Sequence, residues 1–123
     1  MNRNFYNKLV RDNITDIIEA DGKRAYFTIL YNDSDLLNAL TWKIQEEASE
    51  LAEALFESND KDKVLEELSD LETAFECIKD TILKRSDSNR YNEIKNAKNT
   101  EKGKFDKRIC LLYVDNDTIS INK

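Results

Sequence analysis

Residues 33–82 read DSDLLNALTWKIQEEASELAEALFESNDKDKVLEELSDLETAFECIKDTI, and the periodicity of this stretch decides the fold. Apolar residues recur at Leu37, Leu40, Ile44, Ala48, Leu51 and Leu55, then at Val64, Leu68, Leu71, Phe75, Ile78 and Ile82. Spacings of three and four residues place each set on one face of an α-helix. Ser58-Asn59-Asp60 separates the two sets and is long enough only for a tight turn, so the helices must fold back antiparallel. Asp33 or Ser34 is expected to cap the first helix, which runs to about Glu57.

Outward from this hairpin the signals are shorter. Asp12 or Asn13 can cap a short helix around Ile14, Ile17 and Ile18, and Gly22 follows where a left-handed C-terminal residue is usual. Arg24 to Leu30 has the β-branched and aromatic content of a strand. Residues 88–101 form a polar helix around Tyr91, Ile94 and Ala97, ended by Gly103. Ile109 to Val114 reads as a second strand that Asp115-Asn116-Asp117 can turn into Thr118–Ile121. The expected fold is mainly α: one domain over residues 1–123, an antiparallel helix hairpin forming a dimeric helical bundle, with a small accessory β-sheet from residues 24–30 and 108–121.

Composition supports the helical class and excludes several chemistries. The 123 residues include no proline and two glycines, which disfavours turn-rich β folds. The absence of histidine removes Ser-His-Asp and Cys-His catalysis, His-ligated zinc and the Glu-x-x-His di-iron bundle. Cys77 and Cys110 have no metal-type spacing. Met1 to Phe5 lacks an apolar signal core, and no run of about 18 apolar residues exists. These features lead us to expect a soluble, cytoplasmic protein with reduced thiols and no membrane partner.

The net charge of −6 is unevenly spread. Residues 33–80 carry fifteen acidic and four basic groups, whereas residues 81–108 carry nine basic and four acidic. The acidic total argues against extended nucleic-acid binding, which needs a basic face. It leaves room for a small anionic ligand carried on a cation.

The acids are ordered. Glu46-Glu47-Ala48-Ser49-Glu50 lies on the first long helix and Glu66-Glu67-Leu68-Ser69-Asp70 on the second. At helical spacing Glu47 and Glu50 flank the apolar stripe of their helix, and Glu67 and Asp70 flank theirs on the same rotational side. Two antiparallel helices that face each other bring like flanks together. Glu50 should then stand level with Glu67, and Glu47 level with Asp70. Four close carboxylates repel one another unless a cation sits among them, and a hard divalent ion such as Mg²⁺ or Mn²⁺ suits oxygen donors. Glu46 points away from the stripe, as a group supporting the site or a base acting through water. Lys43 lies one turn before Glu47 and can pair with it.

Glu46-Glu47-x-x-Glu50 followed by Glu67-x-x-Asp70 resembles the all-α nucleoside triphosphate pyrophosphatase superfamily, which includes MazG. The N-terminal Tyr6-Asn7-Lys8-Leu9-Val10-Arg11-Asp12, continuing to Ile14, Ile17-Ile18 and Gly22-Lys23, resembles its phosphoribosyl-ATP pyrophosphohydrolase-like house-cleaning group, as does Lys98-x-x-x-Lys102-Gly103-x-Phe105. Thr15 stands where that group commonly has proline, and Lys102 and Lys104 where it commonly has arginine and glycine. The resemblance spans residues 5–114. It implies that Glu47, Glu50, Glu67 and Asp70 hold Mg²⁺, and that Glu50 or Glu46 orients the attacking water. Lys8, Arg11, Lys98 and Lys102 would neutralise a nucleoside triphosphate, and Tyr6, Trp42 or Tyr91 could stack on its base. The implied reaction cleaves the α–β phosphate bond to give a nucleoside monophosphate and pyrophosphate. The alternatives are a phosphoribosyl-ATP pyrophosphohydrolase, or a non-catalytic Mg²⁺–nucleotide-binding or helical interaction protein. The small core predicts a homodimer or homotetramer.

Overall fold

The structure, a computed structural model, describes residues 2–83 and 87–117. The chain divides into two compact units, residues 1–85 and 86–123. The first holds α1 (Ile14–Ala20), α2 (Asp33–Glu57) and α3 (Lys61–Ile82); the second holds α4 (Ser88–Lys102). No helix among the described residues is long and apolar enough to cross a membrane.

Local chemistry sets the helix limits. Asn32, rather than Asp33 or Ser34, caps α2: its side chain accepts from the Ser34 amide at 2.7 Å and the Asp35 amide at 3.4 Å. Its extended backbone leaves the carboxamide oxygen facing the first free N–H groups. Asp60 caps α3 by accepting from the Asp62 amide at 3.0 Å, and the Asp60 amide donates to Ser58 Oγ at 3.1 Å. This short turn makes α2 and α3 antiparallel neighbours, as their spacing requires. α1 ends at Gly22, whose φ of 84° lets the Gly22 and Lys23 amides fold back onto the carbonyls of Glu19 and Ile18. α1 makes no helix–helix contact with α2 or α3.

The packing of α2 on α3 differs from the expected one in rotation. The buried residues of α2 are Leu40, Glu47 and Ala54, seven apart, and those of α3 are Glu67 and Ala74, also seven apart. Leu40 belongs to both the apolar stripe and the seam, but the rest of the stripe is displaced to one side of it. Leu37, Ile44, Leu51, Val64, Leu71 and Ile78 are half-buried along its edge, while Ala48, Leu55, Leu68, Phe75 and Ile82 are exposed. The small side chains of Ala54 and Ala74 lie in the seam, where they permit close approach of the helix axes. Each helix thus has its apolar stripe on one flank of the seam and its acids on the other.

The expected accessory β-sheet is not seen among the described residues. Among the described residues there is no strand; residues 24–30 and 108–117 have irregular backbone, and Thr118–Ile121 lies outside the described residues. Strand propensity measures fit to a pleated, half-buried surface, and a single segment has no ladder to join. The described residues of neither unit include a second strand. Tyr26, Phe27, Ile29, Leu111 and Tyr113 consequently stand exposed.

Candidate functional site

The acidic flank of the hairpin gathers Glu47 and Glu50 from α2 with Glu67 from α3. One carboxylate oxygen of each lies within 4.8 Å of the others. The Glu50–Glu67 level expected from the turn is met: burial, a hydrogen bond to Glu67 and the charges of Glu47 and Glu67 push the Glu50 carboxyl up to about 7. Glu47 and Glu67 are each only 5% exposed, and the Oε2 atom of each is buried with no hydrogen-bond partner. Buried carboxylate oxygens without a partner are costly, because water no longer solvates them.

The other carboxylate oxygens are held by cations. Lys43 Nζ lies 3.1 Å from Glu47 Oε1 and 3.6 Å from Glu46 Oε2, one helical turn away. Lys63 Nζ lies 2.8 Å from Glu67 Oε1 and, as the largest cause, holds that carboxyl below its ordinary value. Lys63 was not singled out from the sequence, although it stands four residues before Glu67 as Lys43 stands before Glu47. Asp70 is not within the 4.8 Å group; Arg11 Nη2 donates to its Oδ1 at 2.6 Å. Lys8 Nζ donates to Glu46 Oε1 at 3.0 Å, which lowers the Glu46 carboxyl and raises the Lys8 ammonium. Lys8 also lies 5.9 Å from the centre of the Tyr6 ring, within cation–π range.

Of the site residues read from the sequence, Glu46, Glu47, Glu50, Glu67, Asp70, Lys8 and Arg11 all lie on this flank of the first unit. Lys98 and Lys102 lie on α4 of the second unit, both exposed. Trp42 is exposed on α2. The three clustered carboxylates offer hard oxygen donors of the kind that divalent cations take. Comparison with known protein families, curated proteins and solved structures finds no match.

Proposed function

We propose that this chain is a Mg²⁺-dependent nucleoside triphosphate pyrophosphohydrolase that releases pyrophosphate and a nucleoside monophosphate from non-canonical or excess nucleotides. The observation that carries the reading is the meeting of Glu47, Glu50 and Glu67 across two helices, with two buried oxygens that have no hydrogen-bond partner among the described residues. The resemblance of residues 5–114 to the MazG-like superfamily supplies the substrate class.

Glu47, Glu50 and Glu67 would hold the ion, with Asp70 one turn beyond Glu67 as the fourth donor. A bound Mg²⁺ supplies neutralisation of phosphate charge and a more acidic water. Glu46, half-buried beside the cluster and kept ionised by Lys8, accepts a proton from the attacking water; Glu50 is the other candidate. Lys8 and Arg11 stabilise the charge that moves toward the leaving pyrophosphate. Glu47, Glu67 and the apolar seam around them fix the positions of these groups. No step needs a covalent intermediate, which agrees with a chain that has no histidine.

The same reading includes a homodimer or homotetramer. Leu40, Ala54 and Ala74 are the buried apolar residues of the described chain, too few to hold a two-helix hairpin. The open apolar flank offers the missing core to a second copy.

The test is a pyrophosphate-release assay over canonical and modified nucleoside triphosphates and phosphoribosyl-ATP, with Mg²⁺ and with EDTA. Metal-dependent release of equimolar monophosphate and pyrophosphate is expected. Tight Mg²⁺–nucleotide binding without release would establish the silent binding alternative.

A further inference from the structure

Residues 2–12 form neither helix nor strand, and two ion pairs tie their side chains to the hairpin. Lys8 grips Glu46 on α2; Arg11, three residues on, grips Asp70 on α3. Lys8 also feels the charges of Glu50 and Glu47, so the segment passes beside the carboxylate cluster. Asn7 turns the chain just before Lys8 with a φ of 46°, a left-handed conformation that asparagine tolerates. The apolar purchase is small. Leu9 is half-buried, Val10 is exposed, and α1 beyond does not pack on the hairpin.

We propose that residues 5–12 are an ion-controlled strap across α2 and α3, and that a divalent cation entering the Glu47–Glu50–Glu67 cluster unlatches it, freeing Lys8 and Arg11 for an incoming polyanion. This rests on the cation reading of the cluster and goes beyond it, because it makes the strap and the ion competitors for one field. The charges decide the sign. Apart from the strap, this flank carries Glu46, Glu47, Glu50, Glu67 and Asp70 against Lys43 and Lys63, formally −3 when all are ionised. A divalent ion reduces that to −1, and a coordinated Asp70 has less charge left for Arg11. The strap, held by partly exposed ion pairs and little else, is weakly bound to begin with. A bound polyphosphate makes the flank negative again and recaptures the same two cations. By linkage, whatever the ion does to the strap the strap does to the ion.

Trypsin reads the strap directly, since it must take the Lys8 or Arg11 side chain into its own pocket to cut after it. The full chain is digested at constant ionic strength with NaCl alone, with Mg²⁺, and with Mg²⁺ plus inorganic pyrophosphate, and cuts are timed by mass spectrometry against Lys23 and Arg24. Cleavage after Lys8 and Arg11 is expected to speed up at least threefold with Mg²⁺ and to slow again with pyrophosphate. Calorimetry with Mn²⁺ is the second readout. The Lys8→Gln/Arg11→Gln protein is expected to bind the ion several-fold more tightly than the wild type. Ion binding with unchanged or slower strap cleavage, or equal affinity in the double variant, overturns the coupling alone. Absence of ion binding in both proteins overturns the cation reading, and the coupling falls with it.

Discussion

The two flanks of the α2–α3 hairpin are built on the same two helices and solve opposite problems. One is an apolar stripe with Leu55, Leu68, Phe75 and Ile82 about half exposed, which gains stability only when something covers it. The other collects carboxylates, two of them buried with an oxygen that has no hydrogen-bond partner among the described residues, which lowers stability. The seam between them is narrow and mixed, with alanines and leucine beside glutamates. The apolar side calls for a cover and the acidic side for a counter-charge, so one hairpin presents two surfaces of opposite need.

The comparison breaks most visibly on the apolar side. Leu68→Asp places a charge in the centre of the stripe without touching the carboxylates. A buried leucine is worth about 1.5–3 kcal/mol, and a symmetric interface feels each change twice. Loss of the dimer in sedimentation, with loss of helical circular dichroism at micromolar concentration, is the expected outcome. A folded, associated variant would show that the apolar flank is not the core's other half.

On the acidic side the expected effect has the opposite sign. Glu50 has no ion-pair partner among Lys43, Lys63, Lys8 and Arg11, so Glu50→Gln removes repulsion and strands no cation. In EDTA at pH 8 the variant should be more stable than the wild type by about 1 kcal/mol, a few degrees in Tm, while losing pyrophosphate release. Scanning calorimetry and the release assay check the two halves.

The pH dependence sharpens this point. Glu50 titrates at about 7 in the folded, metal-free protein, against 4.5 for an ordinary glutamate. The folded state therefore binds the proton more tightly than the unfolded one, and the slope of stability against pH is negative between those values. Stability from this group is present below about pH 4.5 and is lost as pH rises through about 7. Thermal melts in EDTA should show that decline in the wild type and a flatter profile in Glu50→Gln.

A smaller effect separates both flanks from the helices that carry them. Asn32→Ala removes the α2 cap and should cost about 1 kcal/mol, with unchanged affinity for Mn²⁺ in calorimetry. A change in that affinity would mean that the cap positions the site as well as the helix.

Much of this arrangement was legible in the residues. The two long helices, their turn, the Gly22 stop and the Glu50–Glu67 level all followed from spacing. Lys43 was read as a partner of Glu47 from a separation of four. What spacing could not supply was the rotation of the helices about their axes. A stripe of leucines marks an apolar face, but Ala54 and Ala74 decide where the axes approach, and they bring Glu47 and Glu67 into the seam. Arg11 on Asp70 was hidden for a related reason: they are 59 residues apart, and no local period links them. The strand signals at 24–30 and 109–114 misled because β-propensity describes a surface that must be provided by other strands, and none lies among the described residues.

A single titration decides whether the carboxylate flank takes a divalent cation. Mn²⁺ or Mg²⁺ is added to the wild type and to Glu67→Gln by calorimetry, with Tm followed in parallel. The expected result is saturable binding in the wild type, raising its stability by about 2.7 kcal/mol at a hundredfold excess over Kd, with binding and stabilisation both lost in Glu67→Gln. Equal heats and an unmoved Tm in the two proteins would contradict it and leave the buried glutamates as a charge network closed by lysines.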